Sequence, residues 1–206
     1  MLGTLPYPSR ERVAEVIEQY QHDPLLQSTI RGMAWLRATH PANTDIDTIA
    51  AKAAMVDAFY VTHVNTSPIS YADIARRVIE VQFDERIRRE PVDLLLIDEL
   101  AELRNPSATR RLFSFATKFA AAHEPARYMI YDSQVVRFLI QARAQFGFAE
   151  FRSAELIDKP TYALFSSVVE QFASHFGLGS FGPGDLDKYM WREGRNLSRT
   201  ADATPE

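Results

Sequence analysis

The period of the apolar residues constrains this chain more than any other feature: nowhere do apolar and polar residues alternate with a convincing period of two. The apolar positions instead recur at helical spacing between recognisable start and stop signals. Ser9 offers an N-cap, and Glu11 and Glu15 lie early in a helix expected to run to about Tyr20. Asp23 before Pro24 starts a second helix, which carries Ile30, Met33, Trp35 and Leu36 and stops before His40-Pro41. From Asn43-Thr44-Asp45 a third begins. Its apolar positions from Ile46 to Tyr60 cover most of the helix surface, the pattern of a helix buried in the middle of a domain. After the polar stretch "HVNTSPIS", Ser70 and Asp73 read as an N-cap and its acidic third residue, leading into Ile74, Ala75, Val78 and Ile79.

Further helices are predicted as a short piece from Asp84 to Arg89, then Val92–Leu103 after Pro91, Leu112–Ala122, Asp132 to about Phe146, and Pro160–Phe176 with Gly177 as its stop. Asp185 caps a last one through about Arg192. "RNPSATRR" and "GLGSFGPG" read as turn and loop. The predicted fold class is all-α. Residues 1–195 are expected to form a single helical domain, with room for two sub-lobes and a cleft between them. Residues 196–206 are expected to be a disordered tail.

Of the 206 residues, 46% are hydrophobic, enough for a sizeable core, and none is cysteine. That excludes disulfides, thiolate catalysis, and cysteine-ligated zinc or iron–sulfur clusters. No apolar run is long enough to span a bilayer and no signal peptide is evident, so a soluble, cytoplasmic protein with no membrane partner is expected. The net charge of −4 does not advertise nucleic-acid binding. The basic residues nevertheless come in small groups: Arg76-Arg77, Arg86 with Arg88-Arg89, Arg104 with Arg110-Arg111, and Arg192 with Arg195 and Arg199. There is no phosphate loop, dinucleotide fingerprint, His-Glu-x-x-His pair or nucleophile elbow. The five histidines are scattered, so no metal site and no cofactor are expected.

One acid stands out. In "EPARYMIYDSQV" Asp132 follows a short apolar link and opens a helix among Ile130, Tyr131, Val135 and Val136. A carboxylate among apolar residues is costly to desolvate unless it is paired. An N-cap role would account for it, because the free N–H groups and the helix dipole favour an anion there.

The stretch "LFSFATKFAAAHEPARYMIYDSQVVRFL" also resembles the core of the helix–hairpin–helix (HhH-GPD) DNA glycosylases, whose pattern "GxGxKTA…A…PVDTHVxR" carries a hairpin, a buried helix and the catalytic aspartate at the next helix's N-terminus. "ATKFAAA" looks like the "KTA…A" helix and "MIYDSQVVRFL" like "PVDTHVxRV". Asp132 falls on the catalytic aspartate, Val135 on the apolar position and Arg137 on the basic one. Upstream, "MVDAFYVTHVNTSPISYADIARRVI" is similar to the early segment in which a buried helix ends in a polar loop that enters DNA. The likeness covers about residues 45 to 145. A group of uncharacterised bacterial helical proteins with "FSFATKY…YPIYDS" and "LDKYLW"-like segments resembles the chain more closely, and brings no function with it.

The resemblance implies a monofunctional DNA glycosylase, a hydrolase that flips out and excises a damaged or modified base from double-stranded DNA. It would leave an abasic site, in DNA repair or antiviral defence, and act as a monomer. Asp132 would be catalytic; Phe59, Tyr60, Tyr131, Tyr189 and Trp191 would supply the base pocket; His63, Asn65, Thr66, Ser107, Thr109, Arg110, Arg111 and Lys118 would contact DNA. The family's glycine hairpin "LPGVG" is replaced by "LRNPSATRR", so side chains there would have to hold the phosphate. Bifunctional members carry a sugar-attacking lysine where an ungapped count places Ser114, with Lys118 one helical turn later; a water-using mechanism is therefore expected. The alternatives are a non-catalytic helical module that binds nucleic acid or protein, with Asp132 only a cap, and a regulatory protein with a small-molecule pocket.

Overall fold

The computed structural model describes residues 4–202, and these are predominantly helical. They fall into two compact units, one joining residues up to Pro24 to those from Tyr131 onward, the other running from Leu25 to Ile130.

The discontinuous unit holds α1 (Arg10–His22), α8 (Ser133–Phe146), α9 (Ser153–Ile157), α10 (Tyr162–His175) and α11 (Pro183–Asp202). Ser9 caps α1 by accepting the Arg12 N–H, as its sequence position predicts. Thr161 caps α10 through the Leu164 N–H, and Gly177 follows that helix at φ 64°, a left-handed conformation open to glycine without a Cβ penalty. The core is aromatic. Phe138 packs edge-on against Phe172 and Tyr189, with centroids 5.3 and 5.6 Å apart, and Phe148 and Phe176 extend the cluster. Two expectations fail here. The five-residue α9 gave no usable period in the sequence. The last helix does not end near Arg192: it starts at Pro183, has Asp185 in its first turn, and continues to Asp202. Residues 196–202, expected in a disordered tail, are therefore helical, because Leu197 still faces inward and is buried; 203–206 lie outside the described residues.

The continuous unit holds α2 (Pro24–Thr39, starting at the boundary), α3 (Ile46–Tyr60), a 3-10 turn at Val64–Thr66, α4 (Tyr71–Glu80), α5 (Phe83–Arg86), α6 (Leu94–Ala101), strands β1 (Glu102–Asn105) and β2 (Ala108–Arg111), and α7 (Phe113–His123). Asp45 caps α3 through the Asp47 and Thr48 N–H groups, and Ser70 and Asp73 form the predicted capping box of α4. Helix α7 is buried over much of its surface, among Phe115, Ala116 and Phe119. Helix α3, expected to be buried on nearly every side, buries one face (Ile49, Lys52, Ala53, Val56 and Asp57) and leaves Ile46, Ala51, Ala58 and Phe59 exposed, because small alanines make the other side apolar without needing cover.

The predominantly helical fold agrees with the all-α expectation and carries one small sheet where a helix end was expected. The helix predicted from Val92 to Leu103 ends at Ala101, and the chain turns into an antiparallel hairpin pairing Glu102 with Arg111 and Asn105 with Ala108. Only Leu103 is buried in it, so the alternation is too short to read. Asn105 makes the reversal: its Oδ1 accepts the Ser107 and Ala108 N–H groups, and Pro106 cannot continue a helix. The Asn105 amide also donates to Pro68 O and Asp73, fastening the hairpin to the start of α4.

A buried polar network pins the segment before α3. The Lys52 ammonium, 1% exposed, donates to Ala42 O and Asn43 Oδ1, both at 2.8 Å. Asn43 is held through its own N–H and amide by Asp84. His123 of α7 directs Nδ1 at Phe119 O (2.8 Å) and Nε2 at Asn43 Oδ1 (3.3 Å). Burial lowers its pKa from the usual 6.5 to about 4, with the Lys52 charge acting the same way against the pull of Phe119 O. The folded state therefore keeps His123 neutral at pH values where the unfolded chain has begun to take up its proton. Stability present above pH 6.5 is lost as pH falls toward 4, by about 2–3 kcal/mol allowing for the partial exposure of the residue. Urea unfolding across that window checks it, and a His123→Gln variant is expected to flatten the slope.

Candidate functional site

The proposed catalytic carboxylate sits at a helix start fixed from two sides. Asp132 is extended (φ −139°, ψ 150°), and its Oδ1 accepts the Gln134 N–H at 2.9 Å, the N-cap bond of α8. Helix α11 covers that first turn. A Cβ on Gly194 would stand 2.0 Å from the Gln134 carbonyl oxygen, so only glycine allows this approach. Gln134 Oε1 accepts the Ser198 hydroxyl at 3.0 Å and Arg137 at 2.9 Å. Arg137, matched to the family's basic position, thus braces the turn that carries the aspartate.

The aromatics assigned to a base pocket divide between the units. In the discontinuous unit, Tyr131 is half-buried, its hydroxyl donates to Leu156 O at 2.6 Å, and its ring meets Phe165 edge-on. Trp191 is half-buried beneath the Arg195 guanidinium. Tyr189 is fully buried in the aromatic core, a correction to its assignment as a pocket residue: its place on α11 turns it toward Phe138, away from solvent. In the continuous unit, Phe59 is 38% exposed and Tyr60 is half-buried at the end of α3.

The polar loop after α3 is built on one acid that the sequence reading passed over. Asp57, 6% exposed, accepts four hydrogen bonds: the Thr62 hydroxyl (2.6 Å) and Val64 N–H (3.1 Å) at Oδ1, the Tyr71 hydroxyl (2.8 Å) and Asn65 N–H (3.1 Å) at Oδ2. Burial alone would raise its pKa. The donors from Thr62, Tyr71, Val64 and Asn65 outweigh burial and hold the carboxyl below its usual range, so it stays anionic. This charge holds Val61 and His63 in the left-handed region, at φ 49° and 60°, where a β-branched valine is strained. His63, Asn65 and Thr66 are thereby exposed on an ordered loop, with Asp57, Val61, His63, Asn65 and Tyr71 lining a recess of about 250 Å³.

The hairpin distributes the expected phosphate contacts unevenly. Ser107, Thr109, Arg110 and Arg111 are all exposed. Successive strand residues point to opposite faces, so Arg110 and Arg111 cannot close on one phosphate. Arg111 is already engaged, at 2.7 Å from Asp98 and 2.9 Å from Glu102, with its guanidinium over the Phe113 ring. Lys118 is corrected as a surface contact: it is 4% exposed, and its ammonium reaches Tyr60 O at 3.4 Å. Its position on α7 turns it toward α3. Among the described residues no group of three or more His, Asp or Glu side chains is placed to hold a metal ion.

A family model described as an N-terminal domain, HI_0787_N, matches residues 12–127. The chain belongs to the HI_0787_N family. The matched stretch takes in α2 to α7, the Asp57 loop and the hairpin, and ends before Asp132 and α11. An uncharacterized protein of Haemophilus influenzae is similar at 27% identity over 125 residues, which covers 60% of this chain and 57% of that protein. The alignment thus spans little more than half of that relative's length. No solved structure matches the chain. Membership of the HI_0787_N family brings no stated activity, so function has to be argued from the residues.

Proposed function

We propose that this protein is a monofunctional DNA glycosylase that excises a damaged or modified base from double-stranded DNA and leaves an abasic site. The observation that carries the reading is an order of elements: the buried helix α7, then an eight-residue link (124–131), then an aspartate as N-cap of the next helix. That is the order the resemblance to the helix–hairpin–helix glycosylases implies. The early part also supports it, since α3 ends in an exposed polar loop and α4 follows.

The chemistry asked of Asp132 is charge stabilisation. Breaking the N-glycosidic bond builds positive charge on the sugar, which a nearby carboxylate stabilises while orienting or deprotonating a water. A position at a helix N-terminus keeps that carboxylate anionic. The turn that carries it is braced by Gln134, Ser198 and Gly194, as a positioned catalytic group requires. No lysine stands at the position of Ser114, and Lys118 is buried, so water is the nucleophile. Borohydride reduction during reaction with substrate DNA is accordingly expected to trap no covalent adduct. An adduct that disappears in Lys118→Ala would establish a lyase instead.

A second reading has its own observation. The hydrogen bond from Gln134 N–H is sufficient reason for an acid at position 132, which favours a non-catalytic helical module that binds nucleic acid or protein. An abasic-site assay on DNA panels carrying different modified bases separates the two. Base release that requires Asp132 supports the enzyme; binding without release on every substrate supports the module.

A further inference from the structure

Several arginines of this protein are engaged by neighbouring acids. Arg76, Arg77, Arg86, Arg88, Arg111 and Arg127 each lie within 3.1 Å of a carboxylate oxygen. The last helix gathers basic residues on one side. Lys188, Arg192, Arg195 and Arg199 follow one another at spacings of four, three and four, which at about 100° per residue confines them to a stripe about 60° wide. Lys188 pairs with Asp185 at 3.3 Å. Arg192, Arg195 and Arg199 make no ion pair among the described residues, and Arg195 and Arg199 are exposed. The opposite face of α11, with Leu186, Tyr189, Met190 and Leu197, is buried. The Arg195 guanidinium lies 5.2 Å from the centre of the half-buried Trp191 ring, which limits its rotamers without neutralising its charge.

We infer that this stripe of α11 is a docking track for the phosphodiester backbone of a nucleic acid. Guanidiniums match phosphate oxygens with two parallel donors, and none of the three forms an ion pair among the described residues. From Arg192 to Arg199 the helix rises about 10 Å, close to three steps of one strand at about 3.4 Å per step. An anionic membrane is the less suitable partner. A helix that inserts into a bilayer surface offers an apolar face to it, and the apolar face of α11 is spent on the core of its own unit. Asp187 and Asp23 are the nearby acids: Asp187 acts electrostatically on Tyr20 alongside Arg192 and Arg195, which bounds the track on the α1 side. The surface lies outside the stretch matched by the family model and is independent of base excision, since it requires no chemistry at Asp132.

The test measures equilibrium binding of the full chain to an undamaged, labelled DNA duplex over a range of salt concentrations. Arg192→Ala/Arg195→Ala/Arg199→Ala is expected to weaken binding at least about 10-fold at physiological salt and to reduce the log–log salt slope by about 2–3 units, one phosphate contact per arginine. The corresponding triple Gln variant is made in parallel, and circular dichroism verifies that both keep the helix. Arg76→Ala/Arg88→Ala/Arg152→Ala removes the same charge from arginines that are already paired, and is expected to bind nearly as the parent does. A duplex RNA arm distinguishes the polymers, and equal losses on both support recognition of the shared backbone. Unchanged DNA binding in folded stripe variants overturns the inference. So does an equal loss in the control, or a loss confined to phosphatidylserine vesicles. Because the probe is undamaged, a failure of the glycosylase reading leaves this result intact.

Discussion

Asp132→Asn is expected to lower the rate of base release at least about 100-fold while DNA binding and unfolding stability stay close to those of the parent. The two halves of this expectation come from different properties of one side chain, its hydrogen-bond acceptor and its charge. In capping, Oδ1 accepts the Gln134 N–H, a bond that an asparagine carbonyl oxygen accepts equally well, so the capping contribution should change by about 0.5 kcal/mol or less. In catalysis, the requirement is a full negative charge beside a developing cation, and asparagine has none. Asp132→Ala adds the contrast: it removes charge and cap together, and should cost about 1 kcal/mol of stability in addition. Single-turnover release kinetics paired with urea unfolding read both quantities. Undiminished release by Asp132→Asn would remove the mechanism and leave the acid as a cap alone.

Gly194→Ala is the second large effect, and it acts on folding. The added methyl would lie 2.0 Å from the carbonyl oxygen of Gln134 and 2.7 Å from its carbon, distances at which something must move. The obstacle is backbone in the first turn of α8, so no rotamer change relieves it. Either α11 shifts away or the α8 start deforms. Alanine normally improves an exposed helix position by up to about 1 kcal/mol relative to glycine. Here the clash should reverse that sign and destabilise the protein by about 3 kcal/mol or more, at or beyond the usual range for overpacking. A stability measurement decides it, and a stabilised Gly194→Ala protein would mean that the two helices are not held so close. Base release should suffer even where the variant is folded, because the displaced turn begins at Asp132.

Much of this architecture can be read from local chemistry. Ser9, Asp45, Ser70 and Asp132 each cap the helix their position suggests, because a short polar side chain before an apolar period satisfies a backbone donor regardless of what packs later. The aspartate at 132 is legible for the same reason; the extent of burial of α3 is not, because its apolar residues surround the helix while only the face of Ile49, Ala53 and Val56 is covered. The hairpin is not. Its strands are four residues long with one buried side chain, and the pairing of Glu102 with Arg111 is a contact across the turn that no local period encodes. Asp57 went unnoticed because its four donors come from residues five to fourteen positions away.

The sequence by itself determined that the protein is helical, where most helices begin and end, and that an acid opens α8. The tertiary structure alone decided which charged groups are available. Arg111 and Arg192 are the same residue type, yet the first is bound between Asp98 and Glu102, and the second has no acid paired to it among the described residues. Likewise Lys118 and Tyr189 are turned inward by the helices that carry them, while Arg195 and Phe59 keep exposed surface. Helix propensity and capping depend on neighbours a few residues away. The availability of a charge or a ring depends on what folds against it from anywhere in the chain, and that information is absent until the core has formed.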